Sequence, residues 1–290
     1  MTASRLSGST AVVGVIGDPV SHSLSPLLHN TAFTEMGLDW ASVAFPVPAG
    51  RTADALDGAL SLGIRGLSVT MPHKAEAARH LTRLSPLAAR IGAVNCVVEG
   101  VFGTDRQWQG ENTDGAGLLA ALRRRDGFDP AGRRCLVVGA GGAARAVLAA
   151  LADAGAAEII VVNRSSERVA SALVLAGAVG RAGSPEDAPG CDLVVNATPV
   201  GMAGVPVGAA PGRGPWPVDP SLLHAGQVVV DLVYHPSETP WMRATRALGV
   251  AVSNGIGMLV HQAALQVAAW TGLDPPVEAM WRAVDGTGAG

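Results

Sequence analysis

The chain has 290 residues, 48% of them hydrophobic and 16% charged, a composition that suits a folded protein with room for two domains and excludes a disordered one. Its net charge of −3 provides no basic field for nucleic acid or for an anionic membrane. There is no apolar run of about 18 residues and no charged-then-apolar leader, so we expect a soluble, cytoplasmic protein.

Short β-like runs alternate with alanine- and leucine-rich stretches in the first part of the chain, as is typical of α/β folds with parallel sheets. Strands are predicted at residues 11–17, 40–47, 66–71 and 93–99. Helices are predicted at residues 25–37, 53–63, 74–81 and 86–92, followed by a connecting helix at 114–127.

Three serines follow the first predicted strand, in the stretch GDPVSHSLSP. Ser25-Pro26 is typical of a helix start, with serine as N-cap and proline at the first helical position. That explanation does not cover Ser23. If the segment is extended, Ser23 and Ser25 point to the same side and their hydroxyls converge on one point.

Other polar side chains stand at the later strand ends. Thr70 ends the third predicted strand, and Asn95 is an amide in an apolar run that must find partners if it is buried. Asp114 either caps the helix that follows it or joins these polar side chains in one site. Hydroxyls, an amide and a cation–carboxylate pair suit a small polyhydroxylated carboxylic acid.

The cation of that group is Lys74, the one lysine beside 20 arginines. An amine can give and take a proton near neutral pH, whereas a guanidinium stays charged. A chain that uses arginine elsewhere and keeps one amine predicts an acid–base role for Lys74. Tyr234 is likewise the one tyrosine.

The second part of the chain predicts a nucleotide-binding domain. The sequence RRCLVVGAGGAARAVLAALADAG indicates strand, glycine turn and helix, and four further strands are predicted within EIIVV, CDLVV, QVVVD and LGVAVSN.

We expect an α/β fold of two domains with a cleft between them. Residues 1–114 plus 254–290 would form the substrate domain, with a mostly parallel sheet, and 115–253 a Rossmann-type domain. Residues 203–220, rich in glycine and proline, predict a long loop.

The glycine turn matches the pattern GxGxxA over Gly139 to Ala144. In this pattern the first glycine permits a tight turn, the second lets the backbone approach a pyrophosphate, and the third small residue packs helix against strand. Exposed N–H groups at the helix start then meet the phosphates. The predicted cofactor contacts here are Gly139, Gly141, Gly142 and Ala143.

The end of the next strand indicates which dinucleotide is bound. NAD enzymes carry Asp or Glu there, about 20 residues after the turn, to bind the ribose 2′-hydroxyl. This chain has no carboxylate at that strand end, where the residues are Asn163, Arg164, Ser165 and, after two more residues, Arg168. The guanidinium group of arginine can bind a 2′-phosphate through two hydrogen bonds at once. The sequence therefore favours NADP over NAD. The alternative is that the two arginines form a solvated helix start.

The cysteines and histidines predict no redox or metal chemistry. Cys96, Cys135 and Cys191 are far apart in apolar segments and are expected to be buried and reduced. No histidine pair has the spacing of a metal site.

Nine motifs, in order and across nearly the whole chain, resemble those of the shikimate dehydrogenases. They are SHSLSP, SVTMPHK, GAVN, ENTDG, VVGAGGAAR, VVNRSSERV, NATPVGM, DLVY and NGIGMLVHQAA. The resemblance implies an NADP-dependent oxidoreductase that reversibly reduces 3-dehydroshikimate to shikimate, in chorismate and aromatic amino acid biosynthesis. Its partner would be this small molecule, and it would act as a monomer or homodimer.

The same resemblance assigns roles to residues. Lys74 and Asp114 would be the catalytic pair, and Ser23 and Ser25 would hold the substrate carboxylate. The remaining substrate contacts would come from Thr70, Asn95, Tyr234 and Gln262. Further cofactor contacts would come from Thr198 in the segment 196–202, from Leu232 and from Gly255.

Three alternatives stay open. An enzyme of this fold could prefer quinate, or accept both quinate and shikimate. A folate-type methylene dehydrogenase would also have two domains and use NADP, but it would leave the serine pair and Asn95 unused. A binding protein could sense the acid without converting it, although Lys74, Asp114 and the complete glycine turn argue against that.

Overall fold

The chain forms two compact units in a computed structural model that describes residues 6–102, 105–202 and 216–285. The first unit runs to Thr113 and resumes at Val260, and the second spans Asp114–Leu259. The sequence had placed these boundaries after residues 114 and 253. Most of the predicted loop 203–220 lies outside the described residues.

Five strands lie in the part of the first unit that the structure describes. They are β1 (Ala11–Gly17), β2 (Trp40–Pro46), β3 (Gly66–Val69), β4 (Cys96–Phe102) and β5 (Asp105–Glu111). Its helices are α1 (Ser25–Glu35), α2 (Thr52–Ser61), α3 (Lys74–His80), α4 (Pro86–Ile91), most of α9 (Ile256–Thr271) and α10 (Val277–Asp285).

The sheet of the first unit has the order β2-β1-β3-β4-β5. Strands β1, β2 and β3 are parallel, whereas β4 and β5 pair antiparallel. The sheet is therefore mixed rather than mostly parallel. The sequence analysis missed β5 because DRQWQGE is mostly polar and includes Asp, Gly and Glu, which are depleted in strands. Its pairing with β4 and the burial of Trp108, whose Nε1 donates to the carbonyl of Leu56 at 2.8 Å, hold it in place.

The described residues of the second unit form six strands. They are β6 (Arg134–Val138), β7 (Glu158–Val162), β8 (Gly180–Ala182), β9 (Leu193–Asn196), β10 (Val228–Asp231) and β11 (Ala251–Asn254). The α-helices that lie wholly in it are α5 (Asp114–Arg125), α6 (Gly142–Asp153), α7 (Ser166–Ala176) and α8 (Pro240–Arg246).

The sheet of the second unit is parallel throughout, in the order β11-β10-β9-β6-β7-β8. Read from the other edge, this order is the 3-2-1-4-5-6 arrangement of the Rossmann fold. The fold class and the five predicted strands are confirmed. The sixth, β8, has only three residues, too few for a recognisable pattern.

Each sheet is covered by its own hydrophobic core. Strands β6, β7, β9 and β10 of the second sheet are buried on both faces almost throughout, which explains why they read as continuous runs of valine, leucine and isoleucine. The first core gathers Leu56, Leu67 and Val97 around β3 and β4. Burying such a side chain stabilises the folded state by about 1.5–3 kcal/mol. The apolar strands therefore account for much of the favourable free energy of folding.

The three cysteines are buried, as predicted. Burial raises the pKa of Cys135 to about 12 and that of Cys191 to about 11. The two thiols therefore stay protonated at neutral pH and act as small apolar side chains. Among the described residues, no helix combines the length and apolar character needed to cross a bilayer. The same residues contain no cluster of three or more potential metal ligands.

Candidate active site

The predicted substrate residues of the first unit gather at one edge of its sheet. Strands β1 and β3 are parallel and both end there, the antiparallel β4 begins there, and β5 ends there. Polar residues therefore meet at this edge although they are far apart in sequence. They are Ser23, Ser25, Thr70, Lys74, Asn95 and Thr113.

The serine segment is not extended, so that expectation is wrong. Leu24 has a helical backbone, and the Ser23 N–H donates to the carbonyl of Val20 at 3.0 Å in a turn. Helix α1 begins at Ser25, so Ser25 is not its N-cap either. Instead, the Ser23 Oγ accepts the Ser25 N–H at 3.3 Å, because a helix start leaves N–H groups without carbonyl partners. The two serines are thus coupled through this bond rather than by alternation along a strand.

The segment from Thr70 to Lys74 is anchored on both sides. The Thr70 N–H donates to the carbonyl of Ile16 at 3.0 Å, and the Lys74 carbonyl accepts the N–H of Val94 at 2.9 Å. Between them His73 is fully buried, with Nδ1 2.8 Å from the Thr52 Oγ1 and Nε2 2.8 Å from a backbone carbonyl. These bonds fix the start of α3, and with it the backbone of Lys74.

Asn95 and Gln262 are joined directly. The Asn95 Nδ2 donates to the Gln262 Oε1 at 3.2 Å and to the Thr113 Oγ1 at 2.9 Å, while its Oδ1 accepts the Thr113 N–H at 2.7 Å. The Asn95 side chain is only 1% exposed. A buried amide must be hydrogen-bonded, and these bonds give both side chains defined orientations at the sheet edge.

Two further residues, which the sequence analysis missed, extend this network. The Gln266 Nε2 donates to the Asn95 carbonyl at 3.0 Å and to the Gln262 Oε1 at 2.9 Å. The Gln266 Oε1 in turn lies 3.2 Å from the Nε2 of the buried His29. Gln262 and Gln266 are four residues apart on α9, so they share one helix face. That spacing was visible in VHQAALQ and could have drawn attention to Gln266.

Asp114 and Tyr234 belong to the second unit. Asp114 directly follows Thr113, begins α5 and is 3% exposed. As an acidic residue in the first turn it interacts favourably with the helix dipole. Tyr234 is half-buried and lies three residues after the end of β10.

The predicted cofactor residues gather at the carboxyl edge of the second sheet. All six strands run in the same direction, and ligands of open parallel sheets bind at this edge. The residues that follow the ends of β6, β7, β9, β10 and β11 are Gly139, Asn163, Thr198, Leu232 and Gly255.

The glycine turn has the geometry that a pyrophosphate requires. Gly139 has a φ of +124°, and a Cβ atom there would lie 2.9 Å from the Ala197 carbonyl oxygen, so only glycine fits. A Cβ on Gly141 would meet nothing within 4 Å, which leaves room for a ligand beside the backbone. Gly142 and Ala143 open the 12-residue α6, and Ala144 is fully buried.

The residues after β7 also suit NADP. Arg164 and Arg168 are exposed and can turn their guanidinium groups toward a phosphate. Ser165 is the N-cap of α7, where its Oγ accepts the Arg168 N–H at 3.3 Å. Asn163 spans the same turn, with its Nδ2 3.4 Å from the Ser165 carbonyl. The loop is therefore ordered by its own polar side chains and holds both arginines outward.

The loops after β9, β10 and β11 lie against one another. The Leu232 N–H donates to the Asn196 carbonyl at 2.9 Å, and the Gly255 N–H to the Val233 carbonyl at 3.2 Å. A Cβ on Gly255 would lie 2.2 Å from the Leu232 carbonyl oxygen. The Thr198 Oγ1 donates to the Asn196 Oδ1 at 2.6 Å. These contacts bring the three predicted nicotinamide-side residues into one cluster.

A Rossmann sheet with a complete dinucleotide turn, combined with a second α/β unit whose sheet edge carries hydroxyls, amides and one amine, defines a two-domain oxidoreductase of the dinucleotide-dependent class. Three family models match the chain. They describe the shikimate dehydrogenase substrate binding domain (residues 15–97), shikimate / quinate 5-dehydrogenase (121–181) and the shikimate 5′-dehydrogenase C-terminal domain (255–284). The chain belongs to the shikimate dehydrogenase family.

Individual relatives agree along nearly the full length. The shikimate dehydrogenase (NADP(+)) of Moorella thermoacetica is 43% identical, over 96% of this chain and 94% of its own. That of Methanopyrus kandleri is 44% identical, over 95% of each. The crystal structure of Thermus thermophilus shikimate 5-dehydrogenase in complex with NADP(H) and shikimate has a TM-score of 0.82 and 37% identity, covering 95% of this chain and 98% of its own.

Proposed function

We propose that this chain catalyses the reversible, NADP-dependent reduction of 3-dehydroshikimate to shikimate, with Lys74 and Asp114 as the acid–base pair. The reaction belongs to chorismate and aromatic amino acid biosynthesis, and a monomer or homodimer in the cytoplasm would carry it out. The assignment rests on one observation at the edge of the first sheet. The one lysine of the chain belongs there to a group of residues with hydroxyl and amide side chains.

The polar edge suits a ring acid with several hydroxyls. We assign the substrate carboxylate to Ser23 and Ser25, whose hydroxyls flank the start of α1. The ring hydroxyls are assigned to Thr70, Asn95, Tyr234 and Gln262. The Gln262 Oε1 already accepts bonds from Asn95 and Gln266, so we assign the substrate contact to its Nε2.

The reaction needs a hydride, which NADPH supplies when bound, and a proton. The Lys74 ammonium group donates that proton to the carbonyl oxygen of the substrate as negative charge develops there. The Asp114 carboxylate orients the ammonium group. In the direction of oxidation, the neutral Lys74 amine takes the proton back from the hydroxyl.

The second unit's residues fit the phosphates of NADP. The N–H groups at the start of α6 would bind the pyrophosphate, for which the space beside Gly141 leaves room. Arg164 and Arg168 would bind the 2′-phosphate, and Asn163 and Ser165 complete that loop. Thr198, Leu232 and Gly255 would contact the nicotinamide half.

Substituting Lys74 by methionine tests the proposal. Because the amine contributes acid–base catalysis, kcat should fall by about 10²- to 10⁴-fold, while the KM for shikimate changes much less. Shikimate and quinate, each with NADP⁺ and NAD⁺, are compared by absorbance of the reduced nicotinamide. Arg79→Gln removes an exposed cation from the same helix and should have no effect.

Turnover of Lys74→Met within threefold of the wild type would remove Lys74 from the chemistry. Faster wild-type turnover of quinate would instead change the assigned substrate. Wild-type protein that binds shikimate but converts neither acid would support the sensing alternative.

A further inference from the structure

A carboxylate at the end of β10 is fully buried and has no part in the proposed proton transfer. The Asp231 Oδ2 accepts the hydroxyl of Thr239 at 2.7 Å. The Oδ1 accepts the Asn196 Nδ2 at 2.8 Å and the Val233 N–H at 3.2 Å. Burial raises the pKa of Asp231 to about 6, although these three bonds act in the opposite direction.

The three donors belong to different segments of the second unit. Asn196 ends β9, and its Oδ1 accepts both the N–H and the hydroxyl of Thr198, at 3.1 and 2.6 Å. Val233 follows Leu232 in the loop after β10. Thr239 is the N-cap of α8, where its Oγ1 also accepts the Met242 N–H at 3.2 Å. The Asp231 side chain therefore links the loops after β9 and β10, at the carboxyl edge of the sheet, to the start of α8.

Burying a carboxylate is costly, so its presence calls for a reason. Only a carboxylate accepts hydrogen bonds on both of its terminal atoms. An asparagine could accept on one atom only, and the other would meet the Thr239 hydroxyl with a donor. An apolar residue would remove the acceptor of the Thr239 hydroxyl and of the Val233 N–H, and would leave the Asn196 Nδ2 with its bond to the Val200 carbonyl at 3.4 Å. Aspartate thus accepts from all three segments at once, with no change in the donor role of any of them.

We propose that Asp231 is a positioning residue for the nicotinamide half of the cofactor site. Through Asn196 it sets the position of Thr198, and through Val233 it sets the backbone of Leu232 against Gly255. The proposal rests on the assignment of NADP as cofactor and on the placement of these loops beside the nicotinamide. The adenosine half binds at the ends of β6 and β7, which Asp231 does not touch in the bonds described above.

The test compares two ligands by calorimetry with the full chain. NADPH contacts both halves of the site, whereas adenosine 2′,5′-bisphosphate contacts only the adenosine half. For Asp231→Ala we expect the Kd for NADPH to rise at least tenfold, while the Kd for the bisphosphate stays within twofold. Asp231→Asn should give an intermediate loss, because the amide keeps one acceptor. Bisphosphate binding at wild-type strength also shows that the second unit is folded.

Asp192→Ala is the matched control. This aspartate precedes β9 at the opposite edge of the same sheet, where it accepts the Arg134 N–H at 2.9 Å, and its loss should leave the ratio of the two affinities unchanged. Equal losses for both ligands, or none for either, in Asp231→Ala would overturn the proposal. If that variant does not fold, Asp231→Asn decides the question: a threefold selective loss for NADPH supports it and an unchanged ratio overturns it.

Because the readout is binding, this test is separate from the proposed function. Wild-type protein that binds NADPH but does not convert 3-dehydroshikimate would contradict the proposed reaction without affecting the result for Asp231.

Discussion

Lys74 and Arg164 are cations of different chemistry, and each stands just after the end of a strand in its own unit. Lys74 begins α3, and its carbonyl accepts the N–H of Val94, the residue before Asn95, at the polar edge where a group that can release a proton is useful. Arg164 is exposed in the turn before α7, where a permanently charged, planar group can hold a phosphate. At the scale of the residue, the choice between amine and guanidinium thus matches two separate tasks.

Arg164→Gln should change the preference between cofactors. A charge-assisted hydrogen bond contributes about 1.5–3 kcal/mol, so kcat/KM for NADP⁺ should fall about 10- to 100-fold while that for NAD⁺ stays within threefold. Steady-state kinetics with both cofactors measures this. Arg243→Gln, which removes an exposed arginine paired with Glu238 on the same unit, should alter neither value. Equal losses for NADP⁺ and NAD⁺ would contradict the assignment of the 2′-phosphate to Arg164.

At the scale of the element, helix α9 organises the polar edge of the first sheet. Gln262, Gln266 and Trp270 are spaced by four residues and lie on one face of the helix. Gln262 accepts from the Asn95 side chain, Gln266 donates to the Asn95 carbonyl, and the Trp270 Nε1 donates to the Val97 carbonyl at 3.0 Å. One helix face is therefore hydrogen-bonded along the start of β4, beside the polar edge.

Gln266→Leu should weaken substrate binding more than it slows turnover. The change removes one of the two donors to the Gln262 Oε1 and leaves only Asn95, so the Gln262 amide can rotate more easily away from the orientation that the substrate needs. We expect the KM for shikimate to rise about tenfold, equivalent to about 1.4 kcal/mol, with kcat within threefold. Leu265→Ala, at a more exposed position of the same helix, is the control. An unchanged KM would show that Gln262 does not depend on Gln266.

At the scale of the whole molecule, the two units bury different titratable groups, the imidazole of His29 in the first and the carboxylate of Asp231 in the second. The first unit encloses His29, whose Nδ1 is 3.0 Å from the Ser42 hydroxyl and whose ring meets Trp270 edge to face. The Nε2 faces an amide oxygen and so carries the proton, and the Nδ1 accepts from the hydroxyl, which is the pattern of a neutral imidazole. Burial lowers the pKa of His29 to about 3, and the bond to Gln266 offsets this only in part.

This burial predicts acid sensitivity. Between about pH 6.5 and pH 3 the unfolded chain protonates this histidine and the folded chain does not, so the free energy of unfolding falls as the pH falls. The contribution is about 1.4 kcal/mol per pH unit below pH 6.5, or about 2 kcal/mol between pH 6.5 and pH 5. Urea unfolding followed by tryptophan fluorescence at several pH values measures it.

His29→Gln should be less stable at pH 7, because its bonds to Ser42 and Gln266 are altered, but it should lose less stability between pH 6.5 and pH 5. His80→Gln, at a partly exposed histidine paired with Asp57, should keep the wild-type slope. A slope in His29→Gln equal to that of the wild type would rule out His29 as its source.

Much of this fold and of the candidate cofactor site could be predicted from the sequence because the signals are local. A strand, a glycine turn and a helix are consecutive along the chain, so Gly139 to Ala144 carries the whole turn within six residues. The continuous apolar runs of β6, β7, β9 and β10 report burial on both faces. The absence of a carboxylate after β7, with Arg164 in its place, is equally local.

Tertiary structure alone decided the rest, because it depends on residues that only folding brings together. Asn95 and Gln262 are separated by 167 residues, and no local sequence pattern predicts the hydrogen bond between them. Strand β5 is stable through its pairing with β4 rather than through its own residues. Ser23 accepts the Ser25 N–H because a helix starts there, and Asp231 is held by donors from three segments. Side-chain type is a property of the sequence, but a hydrogen bond needs a partner at the right distance, and the fold supplies it.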